Sequence, residues 1–384
     1  MTDAVYSLAD KMLKLDNAQD IAEYVDKLQK STNIREIRLS GNTFGEAACA
    51  ALAPVICKQK SSLQIARLAD IFTGRLREEI PPALSHLLTA LNPCISLHTL
   101  DLSNNAFGPT AQEPLIAFLS SHVPLEHLYL ANNGLGPETG TRIAVALTRL
   151  AEEKKANNAS TLKTLVCGRN RLENSSMLAW SQCFTAHGSL FEIRLPQNGI
   201  RPEGIETLLR DGLSNCIRLK VMDLQDNTFT LRGAKALAHV LPIWTELNEL
   251  GVGDCLLSAR GGNILAEAIS KGLNSEIAIL KLQYNDLDLA AVKALKKAIE
   301  NNLAKLKLLE LNGNKFNQDE DIVDEIRAMF SDRGLGELDD LDDMEEESGE
   351  ESDADDSESP KTTGEGNSQS ADILVSALDT THIK

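Results

Sequence analysis

The pattern L-x-x-L-x-L-x-x-N-x-L/F, in which x is any residue, recurs along most of the chain. Clear copies begin at Ile34, Leu97, Leu125, Leu162, Leu190, Leu219, Leu247, Ile277 and Leu306. A degenerate copy begins at Leu63, and successive copies mostly start 28 to 30 residues apart. Self-similarity at this period indicates a stack of similar structural units instead of one globular core.

The spacing within one copy predicts the structure of each unit. Alternation in the x-L-x-L segment places the leucines on the buried side of a short strand and the x residues on its open side. The Asn ends the strand, where its amide can satisfy backbone groups as the chain turns inward. Cys255 takes the place of this Asn in one copy. The second half of each copy is amphipathic and predicts a helix.

Stacked strand-and-helix units of this kind predict an α/β leucine-rich-repeat solenoid. Because a helix is thicker than a strand, the stack should curve into a crescent like that of ribonuclease inhibitors. A parallel sheet should then line the concave face, with helices on the convex face. The gaps before Leu97 and Leu162 are longer than the usual period. The stretches 71–82 and 152–159, which lie in these gaps, are interpreted as insertions.

The repeat pattern also sets the predicted domain boundaries. We expect an N-terminal cap over 1–33 and about ten to eleven repeats over 34–317. A C-terminal capping helix should follow over 318–333. Residues 334–384 are predicted to form a disordered acidic tail, because they are too polar to offset the entropy of ordering.

The negative charge is concentrated in this tail. Residues 334–384 contain 17 acidic and two basic residues, which leaves 39 acidic and 36 basic residues in the rest of the chain. The body is therefore not basic enough to suggest nucleic-acid binding. Two interpretations of the tail stay open, a solubilising segment or a binder of basic partners.

Other features of composition favour a cytoplasmic protein. The seven cysteines form no CxxC pair and no zinc-like cluster, and the N-terminus has no apolar signal core. No stretch of 18 uncharged apolar residues predicts a membrane span. We expect reduced thiols, no metal, no membrane association and a monomer.

The chain lacks the phosphate-binding, nucleophile-elbow, zinc-protease and dinucleotide motifs of common enzymes. Function should therefore lie on a surface, and the residue before each consensus Asn projects at the mouth of the predicted concave face. We call these positions the rim column: Gly41, Asp70, Asn104, Asn132, Arg169, Gln197, Asp226, Asp254, Tyr284 and Gly313. Short or planar hydrogen-bonding groups dominate it, which favours a binding strip over simple solvation. Caps for neighbouring loops are the alternative.

The degenerate repeat suggests a second functional element. Where the pattern requires Asn, the chain reads Ala69-Asp70-Ile71-Phe72-Thr73-Gly74-Arg75-Leu76, and its Phe-Thr-Gly-Arg part should be exposed. A broken repeat is typical of a functional loop. Arg75 could reach a phosphate or carboxylate of a partner, or form an ordinary ion pair with Glu78 or Glu79.

At these residues the chain resembles the Ran GTPase-activating proteins, and particularly their shorter fungal form. The resemblance extends over roughly 33–347, and its motifs go well beyond the generic repeat. They occupy 70–81, 105–115, 125–137, 167–174, 197–205, 224–230 and 254–261.

The resemblance implies a function in trans. Members of this family accelerate GTP hydrolysis on the small GTPase Ran, which itself holds GTP and Mg²⁺, so the chain would need no cofactor and would not be an enzyme in its own right. The family is thought to use an asparagine to orient Ran's catalytic glutamine, without an arginine finger. The matching residue is Asn132, in the segment Ala131-Asn132-Asn133. Arg75 then becomes an interface and orienting residue.

The remaining partner contacts expected are Asp70, Arg169, Arg171, Asp226 and Asp254. The partner would be GTP-bound Ran, with a Ran-binding protein as a further candidate, in support of nucleocytoplasmic transport. Two alternatives stay open: a non-catalytic inhibitor or scaffold, and a histone chaperone that works through the acidic tail. A short apolar segment at 374–378 resembles a docking or export element.

Overall fold

The computed structural model describes residues 4–345, which belong to one compact unit. The strands in this part of the chain are β1 (Val5–Ser7), β2 (Lys14–Leu15), β3 (Glu36–Arg38), β4 (Thr43–Phe44), β5 (Ile65–Arg67), β6 (Thr99–Asp101), β7 (His127–Tyr129), β8 (Thr164–Val166), β9 (Glu192–Arg194), β10 (Val221–Asp223), β11 (Glu249–Gly251), β12 (Ile279–Lys281), β13 (Leu308–Glu310) and β14 (Glu337–Leu338).

Helices alternate with these strands. They are α1 (Ala18–Lys30), α2 (Glu46–Cys57), α3 (Ile80–Leu91), α4 (Gln112–Leu119), α5 (Gly136–Ala156), α6 (Met177–His187), α7 (Pro202–Thr207), α8 (Thr230–Val240), α9 (Ser258–Ser270), α10 (Leu289–Asn301) and α11 (Asp321–Asp332). Short 3-10 helices lie at Gly108–Ala111, Asn174–Ser176, Leu213–Asn215 and Leu241–Ile243, and a π-helix lies at Leu208–Gly212.

The long sheet confirms the predicted leucine-rich-repeat fold. Between residues 4 and 345 it contains twelve parallel strands in chain order, from β1 through β3 and β5–β13 to β14, and a second sheet pairs β2 with β4. The central residue of each repeat strand pairs with its equivalent in the next, as Leu128 does with Leu100 and Leu165. These side chains are buried. Burial of equivalent apolar residues in register stabilises each unit against its neighbours.

The consensus asparagines form a buried hydrogen-bonded ladder. The Asn133 Nδ2 donates to the carbonyl oxygens of Leu102 (3.0 Å) and Leu130 (2.9 Å). Its Oδ1 accepts from the backbone N–H of Asn105 at 2.9 Å. Asn105, Asn170, Asn198, Asn227, Asn285 and Asn314 repeat this arrangement. At Cys255 the thiol replaces the amide, with longer contacts of 3.4 and 3.5 Å to two carbonyl oxygens.

The N-terminal region contributes more than a cap. In the predicted cap, 1–33, β1 joins the edge of the long sheet by pairing with β3. Helix α1 starts at a capping box, in which the Asn17 Oδ1 accepts from the N–H groups of Gln19 and Asp20 and the Asp20 carboxylate accepts from the N–H of Asn17. A capping box satisfies otherwise unpaired donors of the first turn and fixes how the chain enters the helix.

The predicted start of the acidic tail at 334 is wrong in position. Residues of β14 pair with β13, and Leu341 is only 2% exposed. The carboxylate of Asp339 accepts from the backbone N–H groups of Leu311 (2.8 Å) and Asn312 (3.0 Å). The last repeat strand would otherwise leave an unpaired edge, which proteins tend to cover. The rest of the predicted tail, 346–384, lies outside the described residues, as does the segment 374–378.

The two predicted insertions differ in structure. Most of 71–82 is a loop before α3, whereas 152–156 of the second stretch extend helix α5. All seven cysteines are free thiols, and six are buried. Among residues 4–345, no helix has the length and apolar character needed to cross a membrane.

His187 is a buried neutral histidine that should make the fold sensitive to acid. Its Nε2 donates to the Leu147 carbonyl at 2.9 Å, and its Nδ1 is buried without a partner. Burial lowers the pKa of His187 from 6.5 to about 4. Because the folded pKa lies below the unfolded one, this stability is complete above pH 6.5 and is lost as the pH falls towards 4.

We expect the protonation of His187 to cost about 3 kcal/mol of unfolding free energy near pH 4. The His187→Gln variant can still donate to Leu147 but does not titrate. Its unfolding free energy, measured by urea denaturation between pH 4 and pH 7, should therefore fall less steeply with acid than that of the wild type. Parallel curves for the two proteins would contradict this role for His187.

Candidate functional site

The rim column follows the strands of the long sheet, and all ten of its residues share one backbone conformation. Their φ angles are positive, from 51° at Asp254 to 71° at Gly41. Each non-glycine residue of this kind occupies the left-handed region, which asparagine and aspartate tolerate better than most side chains. The column is therefore a regular turn where each strand leaves the sheet.

This conformation explains part of the composition that suggested a binding strip. Gly, Asn and Asp, which make up seven of the ten positions, are favoured by positive φ alone. Contacts within the chain account for the tyrosine at position 284, because its hydroxyl donates to Asp343 at 2.8 Å and its ring lies against Gly313. The positive φ of the turn does not favour arginine or glutamine, which occupy positions 169 and 197. They are the two column members whose identity the turn does not explain.

Asn132 and Asn133 have opposite environments. Asn133 is fully buried in the ladder, whereas the side chain of Asn132 is exposed at the rim. The Asn132 Nδ2 donates to the Asn104 Oδ1 at 3.0 Å, across one repeat. This bond holds the Asn132 carboxamide, and the Asn132 Oδ1 accepts no hydrogen bond from residues 4–345. Sequence reasoning placed Asn104 in the column but missed its role as a support for Asn132.

Arg75 is tied to the N-terminal region instead of projecting outwards. Its Nε donates to the Thr43 hydroxyl (2.8 Å), and one terminal nitrogen donates to the Asp16 carboxylate (2.5 Å). The other terminal nitrogen donates to the carbonyls of Thr43 (3.0 Å) and Leu15 (3.3 Å). The side chain is only 8% exposed. The predicted ion pair with Glu78 or Glu79 is replaced by one with Asp16, whose pKa is lowered chiefly by its hydrogen bond to Arg75.

The loop that carries Arg75 lies beside the rim column. A cleft of about 370 Å³ is lined by Phe72, Gly74, Arg75, Arg77 and Asn104, among others. Asp70 starts this loop, and its carboxylate accepts from the Thr73 hydroxyl, so it stabilises the turn. Arg77 is exposed and makes no side-chain hydrogen bond or ion pair with residues 4–345. The structure thus brings the loop and the Asn104–Asn132 pair together at one end of the column.

Charges on the open face of the sheet and charges on the rim differ in their partners. On the sheet, Arg194 binds Glu249 through both terminal nitrogens (2.9 and 2.8 Å), and Arg67 binds Glu36 (2.7 Å). Because these side chains already form ion pairs with each other, they are less available to bind a ligand.

Four charges at or beside the rim column, by contrast, have no ion-pair partner among residues 4–345. Arg169, Arg171, Asp226 and Asp254 are exposed and form no ion pair within the described part of the chain. Burial and the neighbouring Asp254 raise the pKa of Asp226, whereas Arg169 lowers it. These four predicted contacts are therefore available to an external surface. At about 4.8 Å per strand, the strip from Asp70 to Asp254 spans roughly 30 Å, which suits a protein partner better than a small molecule.

Two functional candidates were missed by reasoning from the sequence. Asp10, with φ 57°, donates its N–H to Ser40 as column residues do and extends the column by one unit. The alternation of Tyr6 and Leu8 could have revealed it. Asp16 could not have been found, because its partner Arg75 lies 59 residues away.

The contacts of Arg75 predict a structural role for its side chain. Arg75→Ala removes four hydrogen bonds of a nearly buried charged group, and we expect it to lower the unfolding free energy by about 2–4 kcal/mol. Arg77→Ala on the same loop, which loses no such bond, should change it by less than about 0.5 kcal/mol. Chemical denaturation of both variants provides the measurement. Equal stabilities would show that the Arg75 bonds contribute nothing.

Comparisons with known proteins confirm the leucine-rich repeat and identify similar proteins. Residues 94–111 and 215–238 match the family described as Leucine Rich repeat. The Ran GTPase-activating protein 1 of Saccharomyces cerevisiae is 38% identical over 335 residues, which cover 85% of this chain and 82% of the yeast protein. The Ran GTPase-activating protein of Drosophila melanogaster is 33% identical over 84% of this chain and 54% of its own length. Ran GTPase-activating protein 1 of Xenopus laevis is 38% identical over 52% of this chain and 35% of the frog protein.

Proposed function

Because the chain belongs to the Ran GTPase-activating protein family, we propose that it accelerates the hydrolysis of GTP bound to Ran. The active site is Ran's own, and Ran holds the nucleotide and Mg²⁺, so this chain supplies no cofactor. The observation that carries the mechanism is the exposed Asn132 carboxamide, held by Asn104 beside a fully buried ladder asparagine.

Hydrolysis of the γ-phosphate requires a water molecule aligned with the bond that breaks. The protein contributes mostly by positioning groups and by stabilising charge. In our proposal the glutamine of Ran orients this water, and Asn132 orients the glutamine. The Asn132 Oδ1 accepts from the glutamine amide, because it has no hydrogen bond among residues 4–345, whereas one N–H of the Asn132 Nδ2 is engaged with Asn104. A side chain held before the partner arrives loses less entropy on binding.

The environment of Arg75 supports a mechanism without an arginine finger. An arginine finger must bring a free guanidinium to the γ-phosphate. Arg75 would first have to break its bonds to Leu15, Asp16 and Thr43. We propose instead that it orients the 70–80 loop, so that this loop contacts Ran in a defined position.

The rest of the interface follows the rim column. Arg169, Arg171, Asp226 and Asp254 contribute charges to GTP-bound Ran, and Asp70 holds the loop at the near end. A Ran-binding protein is a further candidate member of the complex. We propose that the chain works as a monomer in the cytoplasm, in support of nucleocytoplasmic transport.

A single assay tests this function. Adding the chain to GTP-loaded Ran should raise phosphate release by orders of magnitude above Ran's intrinsic rate, and GTP-loaded Ras serves as a specificity control. Binding to Ran without accelerated phosphate release would favour the inhibitor or scaffold alternative. No binding at all would reject Ran as the partner.

A further inference from the structure

The rim loop 254–258 contains an unusual leucine. Asp254, Leu256 and Ser258 all have positive φ angles, of 51°, 53° and 63°. The side chain of Leu256 is also 55% exposed. The left-handed region disfavours a bulky side chain such as leucine, although the rim turn imposes this conformation in several repeats. Leu256 combines this strain with apolar surface left in water.

The repeat itself does not require a leucine at this position. Leu256 follows the ladder residue Cys255 directly, and the equivalent residues of five other repeats share its positive φ, from 50° to 66°; they are Ala106, Gly134, Arg171, Gly199 and Asp286. A Cβ at Gly134 would meet no atom within 4 Å. The turn therefore favours glycine by conformation and leaves open space for a side chain. Leu256 is more than half exposed, so packing inside the chain offsets little of this strain.

The surroundings of Leu256 suit a protein surface of opposite charge. Asp254 lies two residues before it, and Asp226 occupies the same position of the preceding repeat. Both carboxylates are exposed, and neither forms an ion pair with residues 4–345. An apolar side chain beside charged groups resembles the apolar core and polar rim of a protein interface.

We propose that Leu256 is an apolar anchor that inserts into a pocket edged by basic residues on the GTPase partner. This inference rests on the proposed function and adds a binding residue to it. The anchor contributes to affinity and lies outside the chemistry at Asn132. Its loss should therefore raise the KM for GTP-loaded Ran and leave the rate at saturation unchanged.

The test variant is Leu256→Gly, because glycine removes both the apolar side chain and the backbone strain. We expect an unchanged or higher Tm, about a tenfold rise in KM and an unchanged kcat. The matched control is Leu273→Gly, whose side chain is 50% exposed in the turn before β12, at the opposite end of the strands from the rim. Its KM should equal that of the wild type.

The outcomes separate this inference from the proposed function. An active wild type with a normal KM for Leu256→Gly would overturn the anchor alone. A fall in Tm together with the rise in KM would assign Leu256 a structural role and would also overturn it. A wild type that fails to accelerate hydrolysis on Ran would reject the proposed function and the anchor together.

Discussion

Replacing Asn132 with glycine is expected to slow single-turnover GTP hydrolysis on Ran by about 100- to 1,000-fold, comparable to the loss of one transition-state hydrogen-bonding group in other enzymes. The variant should still bind GTP-loaded Ran, because the charged rim residues and the 70–80 loop remain. The measurement is phosphate release with the activator in excess over Ran, so that chemistry and not turnover limits the rate.

The choice of glycine follows from the backbone at Asn132. Its φ angle is 55°, and alanine would add strain of about 1 kcal/mol there because L residues disfavour the left-handed region. Glycine removes the carboxamide without this strain. Equal losses for Asn132→Gly and Asn132→Ala would assign the effect to the amide. Full activity of Asn132→Gly would reject the proposed mechanism.

Asn104 provides a graded control for the same hypothesis. Asn104→Gly keeps the Asn132 carboxamide but removes the acceptor that holds it at 3.0 Å. The rate should fall by less than in Asn132→Gly, since the amide is still present but less ordered. A larger loss for Asn104→Gly would indicate that Asn104, and not Asn132, is the residue that contacts Ran's glutamine.

Replacing the neighbouring Asn133 with alanine should instead destabilise the fold by about 3–5 kcal/mol. The substitution removes one of two asparagine donors from each of the Leu102 and Leu130 carbonyls. It also leaves the Asn105 N–H without its acceptor, in a place where Asn133 is 0% exposed. A buried polar group without any partner costs about 1–3 kcal/mol, and each of the other two lost hydrogen bonds contributes about 0.5–1.5 kcal/mol. Urea denaturation of Asn133→Ala and Asn132→Gly measures the difference.

The cysteine that replaces the ladder asparagine in one repeat suggests a control variant. Asn133→Cys copies the arrangement at Cys255, whose thiol lies 3.4 and 3.5 Å from two carbonyl oxygens. It should lose less stability than Asn133→Ala, because a weak donor remains. If both variants were as stable as the wild type, the ladder would contribute little to the fold.

The rim column shows where interpretation of the sequence reached its limit. The pattern located all ten positions, and the structure places each of them at the turn after its strand. Their composition was read as a sign of binding, yet positive φ accounts for the glycines, asparagines and aspartates. Only the backbone conformation separates Arg169 and Gln197, whose residue types positive φ does not favour, from the glycines, asparagines and aspartates, whose types it favours.

Contacts between distant parts of the chain were beyond the repeat pattern. The bonds of Arg75 to Asp16 and Thr43 join residues 59 and 32 positions apart. No periodicity connects them, so the sequence left Arg75 open as a finger or a local ion pair. The start of the tail was misplaced for a related reason. The composition of 334–345 predicts an acidic, disordered segment. In the structure, however, Leu341 is buried and the Asp339 carboxylate accepts from the N–H of Leu311, directly after the last repeat strand.

The amino-acid sequence by itself determined the stack of strand-and-helix units, the buried leucines and the asparagine ladder. It could do so because each unit contacts chiefly its neighbours, and a fixed period therefore specifies the same contacts again and again. Only the tertiary structure decided which rim residues are held, which are free and where the ends are closed. Those properties depend on single side-chain contacts and on backbone conformation, which no repeated pattern records.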